Sequence, residues 1–157
     1  MNTMKPVITF LSCLIWIQLF ACCNKNNETI SNPNSVLKTD SMKLKIAIGN
    51  NAFTATLYNN ATVTAFKTKL PMTINMKELN GNEKYFDLPD NLPANAANPG
   101  TIQTGDLMLY GSNTLVLFYK SFSTSYNYTP IGHVDDSSGL TAALGPGNIT
   151  VTFAFSE

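Results

Sequence analysis

The chain has 157 residues, 44% of them hydrophobic, and its basic and acidic residues number ten each, for a formal charge of zero. That suffices for one domain with a real core and excludes wholesale disorder; nucleic-acid binding is excluded too, because it needs clustered cations against phosphate. Every basic side chain is lysine, which closes any chemistry needing a guanidinium fork, and outside Cys13, Cys22 and Cys23 the chain has no thiol and only one histidine, His133, so thiolate and multi-histidine metal sites are closed as well.

The first element is "MNTMKPVITFLSCLIWIQLFACCNKNN", with Lys5 near its start and an apolar run from Val7 to Ala21. This is the form of a secretory signal; the run is too short, and too interrupted by Thr9, Ser12 and Gln18, for a membrane span. Leu19-Phe20-Ala21-Cys22 resembles the lipobox of bacterial lipoproteins, in which a peptidase cuts before a cysteine that carries a thioether-linked lipid. The resemblance implies cleavage after Ala21, lipidation of Cys22 and anchorage in the cell envelope, on the periplasmic or surface side. Phe20 is bulkier than the usual occupant of its place. Residues 24–41, "NKNNETISNPNSVLKTDS", are polar and lack apolar periodicity, so they are expected to form a flexible tether. Fully extended, such a segment reaches about 60 Å. The expected organisation is a signal peptide over 1–21, the lipidated cysteine and tether over 22–41, and one domain over 42–157.

Within that domain "KLKIAIG" and "AFTATLY" alternate apolar and polar residues about Gly49-Asn50-Asn51, which predicts a hairpin with one buried face. In residues 61–69 the period changes to three and four, with Asn60 as cap, Val63, Phe66 and Leu70 inward and Pro71 as stop, predicting a short helix. "MTINM" and "EKYFDLP" are strands on either side of a turn at Gly81, and "DNLPANAANPG" is a proline-interrupted loop. "DLMLYG" and "TLVLFYKSF" form a second hairpin around Gly111-Ser112-Asn113, apolar enough on both faces to be central. "SFSTSYNYT" reads as a loop and "IGHV" as a brief strand. "SGLTAAL" is a helix stopped by Gly145-Pro146-Gly147, and the alternating "NITVTFAF" ends the chain. Eight short strands and two helices without βα alternation favour a mainly β, closed antiparallel barrel.

This order resembles the cyclophilin fold, an eight-stranded barrel with a helix at each end, over about residues 43–155. "TGDLMLYGSNTLVLFYKS" is similar to the central strand pair of small bacterial cyclophilin-like proteins, and "IGHV" stands where cyclophilins have a Phe-Gly-Lys-Val-like strand. The resemblance implies an apolar, aromatic groove that binds peptides or small apolar ligands. It also implies prolyl isomerisation, but isomerases of this fold carry a Phe-His-Arg segment after the first helix, where the arginine assists amide rotation. Here "LPMTINMKELNGNEKYF" has neither arginine nor histidine, so isomerase activity is expected to be weak or absent.

The candidate ligand-binding residues are Leu109, Leu117 and Phe118 on the central strands; Phe122, Tyr126 and Tyr128 in the aromatic loop; Tyr85, Phe86 and Leu88 beside the proline loop; and His133. Each has a plainer reading. Strand alternation lets only some of the central-strand residues face a groove, the rest being core; the loop aromatics could simply cover a barrel end; and the stretch from Tyr85 to Leu88 could merely close the barrel. His133 with Asp135 and Ser138 holds the letters of a triad without a nucleophile elbow or oxyanion signature. Glu78, Glu83, Asp87 and Asp90 read as a solvated acidic face. No catalytic residue, metal or cofactor is assigned. The preferred function is a membrane-tethered binding module; a prolyl isomerase or folding helper of the envelope, and an accessory protein-docking domain, are the alternatives.

Overall fold

The computed structural model describes residues 43–156; the segments expected to form a signal peptide and a tether, with Cys22 as the expected lipidation site, lie outside the described residues. Strands β1 (Lys43–Ile48) and β2 (Asn51–Leu57) form the first hairpin, which turns at Gly49 with a positive φ of 56°. Their alternation buries Leu44, Ile46 and Ile48 from one strand and Ala55 and Leu57 from the other. Helix α1 (Ala61–Lys67) begins where the Asn60 side chain accepts the Val63 N–H at 2.8 Å, and it turns Val63 and Phe66 into the core. The strands that follow are β3 (Met72–Leu79), β4 (Glu83–Asp87), β5 (Thr101–Ile102), β6 (Asp106–Tyr110), β7 (Thr114–Phe118), β8 (Phe122–Ser123) and β9 (Tyr128–Val134). Helix α2 (Leu140–Leu144) and strand β10 (Ile149–Phe155) complete the domain.

Eight strands close an antiparallel barrel in the order β1-β10-β3-β4-β7-β6-β9-β2, and β5 pairs with β8 in a separate two-stranded ribbon. Closure leaves no barrel strand with an unpaired edge. α1 sits at the end where residues 88–93 run, with the Thr62 hydroxyl donating to the Pro93 carbonyl at 2.6 Å. α2 sits at the other end, where the Thr141 hydroxyl donates to the Tyr119 carbonyl at 2.8 Å. Leu88 and Leu92 are buried beneath the first end, and the Leu88 and Leu92 N–H groups donate to Asn113 and Ser112 of the β6–β7 turn.

Two expectations need correction. The aromatic stretch is not all loop: Phe122 and Ser123 pair with Ile102 and Thr101, in strands too short for any periodicity to announce. β9 also starts earlier than "IGHV" and runs through Pro130. A bulge there shifts the β6–β9 register between Leu107 and Met108, so that Gly132 faces Leu107 while Pro130 faces Met108. A bulge is one of the few sheet positions that tolerate a residue without an N–H. The extra residue turns both Ile131 and Val134 inward. Gly132 is required by the close approach: a β-carbon there would lie 2.6 Å from the Thr56 carbonyl oxygen.

Apolar burial falls into two bodies. The barrel interior holds residues such as Leu44, Ile46, Phe66, Leu107, Leu109, Leu115, Leu117 and Phe153. A smaller cluster, Ile102, Met108, Val116, Phe118 and Tyr128, lies outside the barrel wall, between β6–β7 and the β5–β8 ribbon, with Tyr85 and Phe122 packed on it.

Candidate functional site

The outer cluster follows from strand parity. On β7 the side chains of Leu115 and Leu117 point into the barrel, so Thr114, Val116 and Phe118 point out. Register then carries the outward face across the wall: Tyr85 opposite Val116, Asp87 opposite Thr114 and Glu83 opposite Phe118 on β4; Met108 and Tyr110 on β6; Tyr128 on β9. Phe118 is fully buried and acts as the hub. Its ring centroid lies 5.8 Å from that of Phe122 and 5.5 Å from that of Tyr128, the latter edge-on. Tyr110 extends the series, 5.6 Å from Tyr128 and 6.1 Å from Tyr126. These separations suit offset and edge-to-face aromatic packing.

On this face lies a cavity of about 380 Å³, a size suited to a small ligand or one or two peptide side chains. Its apolar walls are Leu79, Tyr85, Tyr110, Val116, Phe122, Tyr126 and Tyr128; its polar lining is Asn80, Asn82, Glu83, Asp87 and Thr114. Leu79, Tyr110 and Tyr126 are respectively 41%, 45% and 62% exposed, so three of the large apolar side chains left open to solvent gather on one rim. Such convergence marks interaction sites more often than scattered exposure does. The rim is shaped by the β3–β4 turn, where Asn80 and Gly81 take positive φ values of 54° and 69° and the Glu78 carboxylate accepts the Gly81 N–H.

Of the residues singled out from the sequence, the structure brings Tyr85, Phe122, Tyr126 and Tyr128 together around this cavity, with Phe118 beneath it. It does not bring the others. Leu88, Leu109 and Leu117 are buried in the barrel interior, and Phe86 packs against that same core, each on the inward parity of its strand or segment. His133 lies elsewhere, its Nδ1 2.9 Å from Asp106 Oδ1, while the other Asp106 oxygen accepts the Gln103 N–H at 2.8 Å. That pair braces the entry to β6. Asp135 is engaged with Lys43 and Thr56, so His133, Asp135 and Ser138 make no triad.

The acidic residues are not a single solvated face. Asp90 pairs with Lys69 at 2.8 Å, and Asp87 accepts the Thr114 hydroxyl at 2.7 Å. Glu78 forms an ion pair with Lys84, whose side chain is fully buried and also donates to the Gly145 and Gly147 carbonyls at 2.8 and 2.6 Å. Burial by itself would raise the Glu78 carboxyl, but hydrogen bonds from Lys84 and Tyr119, with the lysine's charge, hold it below its ordinary value. The Tyr119 hydroxyl, buried and donating to that carboxylate at 2.7 Å, is pushed up to about 12. Glu83 is different. It lines the cavity, is only 8% exposed, and its side chain makes no hydrogen bond or ion pair among the described residues. Burial, and then the charge of Glu78, push its carboxyl above the usual range. Sequence reasoning missed Glu83 and Lys84 because neighbouring charges read as surface; the signal that could have found Glu83 is its parity with Tyr85.

A closed eight-stranded antiparallel barrel with a helix at each end and an aromatic cavity on its outer wall defines a cyclophilin-like domain. The Cyclophilin-like family model matches residues 46–154, more than half of the chain, and the chain belongs to that family. Among solved structures it is similar to the solution structure of the hypothetical protein AF2241 from Archaeoglobus fulgidus, with a TM-score of 0.51 and 19% identity over 74% of this chain and 95% of that one. That likeness concerns the fold. No curated protein matches the sequence. On β3, the strand after the first helix, there is no arginine; its one cation is Lys77, exposed, with its ammonium 5.6 Å from the centre of the Tyr85 ring.

Proposed function

We propose that the protein is a membrane-tethered binding module that takes a peptide or small apolar ligand in the aromatic cavity of its barrel wall and lacks efficient prolyl isomerase activity. The observation that carries this reading is the cavity itself: about 380 Å³, walled by Tyr85, Tyr110, Phe122, Tyr126 and Tyr128 and held open over a packed aromatic floor. Rigid aromatic side chains give large contact area at low entropic cost. Isomerisation, by contrast, means lowering a barrier of about 20 kcal/mol by binding the twisted amide better than the planar one. In this fold a guanidinium contributes to that preference, and this chain contains none. The tether rests on the signal segment and on Cys22 as the lipidated residue.

A protease-coupled assay with several X-Pro peptides tests the first part, with a flat rate as the expected result. Acceleration that Tyr126→Ala abolishes would make the protein an isomerase with a non-arginine arrangement. Cell fractionation tests the second. The wild-type chain is expected with membranes and Cys22→Ser in the soluble fraction; a Cys22→Ser chain that stays membrane-bound overturns the lipid anchor.

A further inference from the structure

We infer that the cavity selects an organic cation bearing N–H donors, an alkylammonium or alkylguanidinium group, and seats its charge against Glu83 among the surrounding tyrosines. This rests on the cavity being the binding site proposed above and names the class of ligand it takes.

Three observations converge. The first is the state of Glu83, a residue only 8% exposed whose carboxylate lines the cavity with no donor from the described residues. A charge largely screened from water and left without a partner is unfavourable, and a ligand cation would supply the missing partner. Both carboxyl oxygens are free to accept charge-assisted hydrogen bonds, which favours cations with N–H groups over quaternary ammonium. The second is the wall: the rings of Tyr110, Tyr126, Tyr128 and Phe122 surround the same space, and aromatic faces attract cations most strongly where water is displaced. Lys77 over Tyr85 already uses one ring in this way from outside the cavity. The third is the sign of the lining. It contains two carboxylates, Glu83 and Asp87, and no lysine, so an anionic ligand would meet repulsion without compensation. Asn82 adds a buried Oδ1 that lacks a donor among the described residues.

The source could be a free amine or a basic side chain on a peptide; the chemistry is shared, and the measurement separates them. The full chain, ¹⁵N-labelled in detergent, is titrated with n-butylammonium, n-butylguanidinium, 1-butanol and butyrate, following the amides of Glu83, Tyr85, Tyr110 and Tyr126. The same titration is then run with an acetylated five-residue peptide centred on lysine and its norleucine counterpart. The expected order is both cations ahead of butanol by roughly tenfold, with butyrate weakest. Glu83→Gln, which keeps the shape and removes the charge, should bring ammonium and alcohol to equal affinity with an unchanged fold by circular dichroism. Glu83→Asp should keep a preference for the cation. If butanol and the norleucine peptide bind as tightly as their cationic partners, the cation inference fails while the binding site stands. If no probe shifts the cavity amides, the site proposed above fails, and the inference with it. A preference for cations that survives in Glu83→Gln overturns the role of Glu83. Lysine-peptide affinity well above that of butylammonium assigns the ligand to a peptide; equal affinity assigns it to the free amine.

Discussion

At the scale of single residues, the barrel holds two glutamates in opposite conditions five positions apart. Glu78 is paired with Lys84 and hydrogen-bonded by Tyr119 and the Gly81 N–H, and its carboxyl is held below its ordinary value of 4.5. Its stabilising contribution is therefore complete above about pH 4.5 and is lost as pH falls through its folded value. Asp135, whose burial is outweighed by hydrogen bonds from Lys43 and Thr56 and by the lysine's charge, acts in the same direction. Glu83 has the reverse sign. Its carboxyl is raised above 4.5 by burial and by the charge of Glu78, so it costs stability at neutral pH, and that cost is relieved as pH falls from its folded value toward 4.5. The expected profile of unfolding free energy, measured by urea titration at successive pH values, rises on mild acidification and then declines in acid. Glu83→Gln should flatten the rise. Lys84→Met should flatten the decline due to Glu78 and lower stability at pH 7 by about 3 kcal/mol, since breaking a buried ion pair strands its partners. A profile unchanged by both substitutions would show that neither glutamate titrates differently in the folded and unfolded chain.

At the scale of elements, the legible strands are those with one wet face. β1, β2 and β10 alternate, and the alternation names their buried residues, although Phe155 at the end of β10 remains 42% exposed because the barrel has ended there. α1 is legible from its Asn60 cap and the spacing of Val63 and Phe66. "DLMLY" and "TLVLF" are legible as central strands but silent about parity, since apolar residues occupy both faces. That is why sequence reasoning sends Leu109 and Leu117 to the cavity when Tyr110 and Val116, one position along each strand, line it. The β5–β8 ribbon is invisible for another reason. Two residues have no period, and what fixes them is tertiary: Ile102 and Phe122 pair with each other and pack in one cluster with Phe118 and Val116. The bulge in β9 likewise depends on β6, and Pro130 argues locally for a break that the neighbouring strand makes unnecessary.

At the scale of the whole molecule, the wall shared by β4, β7, β6 and β9 carries apolar side chains on both sides, and the two sides do different work. Inward, it completes a core closed by α1 and α2; outward, it carries an aromatic layer roofed only by a two-residue ribbon. A closed barrel has all its strands paired without that ribbon, so the outer layer can be perturbed while the fold persists. Phe153 is fully buried in the barrel and packs edge-on to Phe66 at 6.4 Å; Phe122 is only partly buried, beside the cavity. Truncating Phe153 to alanine should cost about 3–5 kcal/mol, the usual range for a buried phenylalanine, and Phe122→Ala about 1–2 kcal/mol, in proportion to the smaller apolar area it buries. Ligand affinity should move the other way, falling with Phe122→Ala and unchanged in whatever fraction of Phe153→Ala remains folded. Hydrogen exchange should show the same division, with the ribbon amides of Ile102 and Phe122 opening at lower free energy than those of Leu107 and Leu115. Equal stability costs for the two phenylalanines, or ribbon amides protected to the global limit, would mean that the outer layer is part of one cooperative core. The cavity would then be a fixed seam in that core, unable to adjust to what it binds.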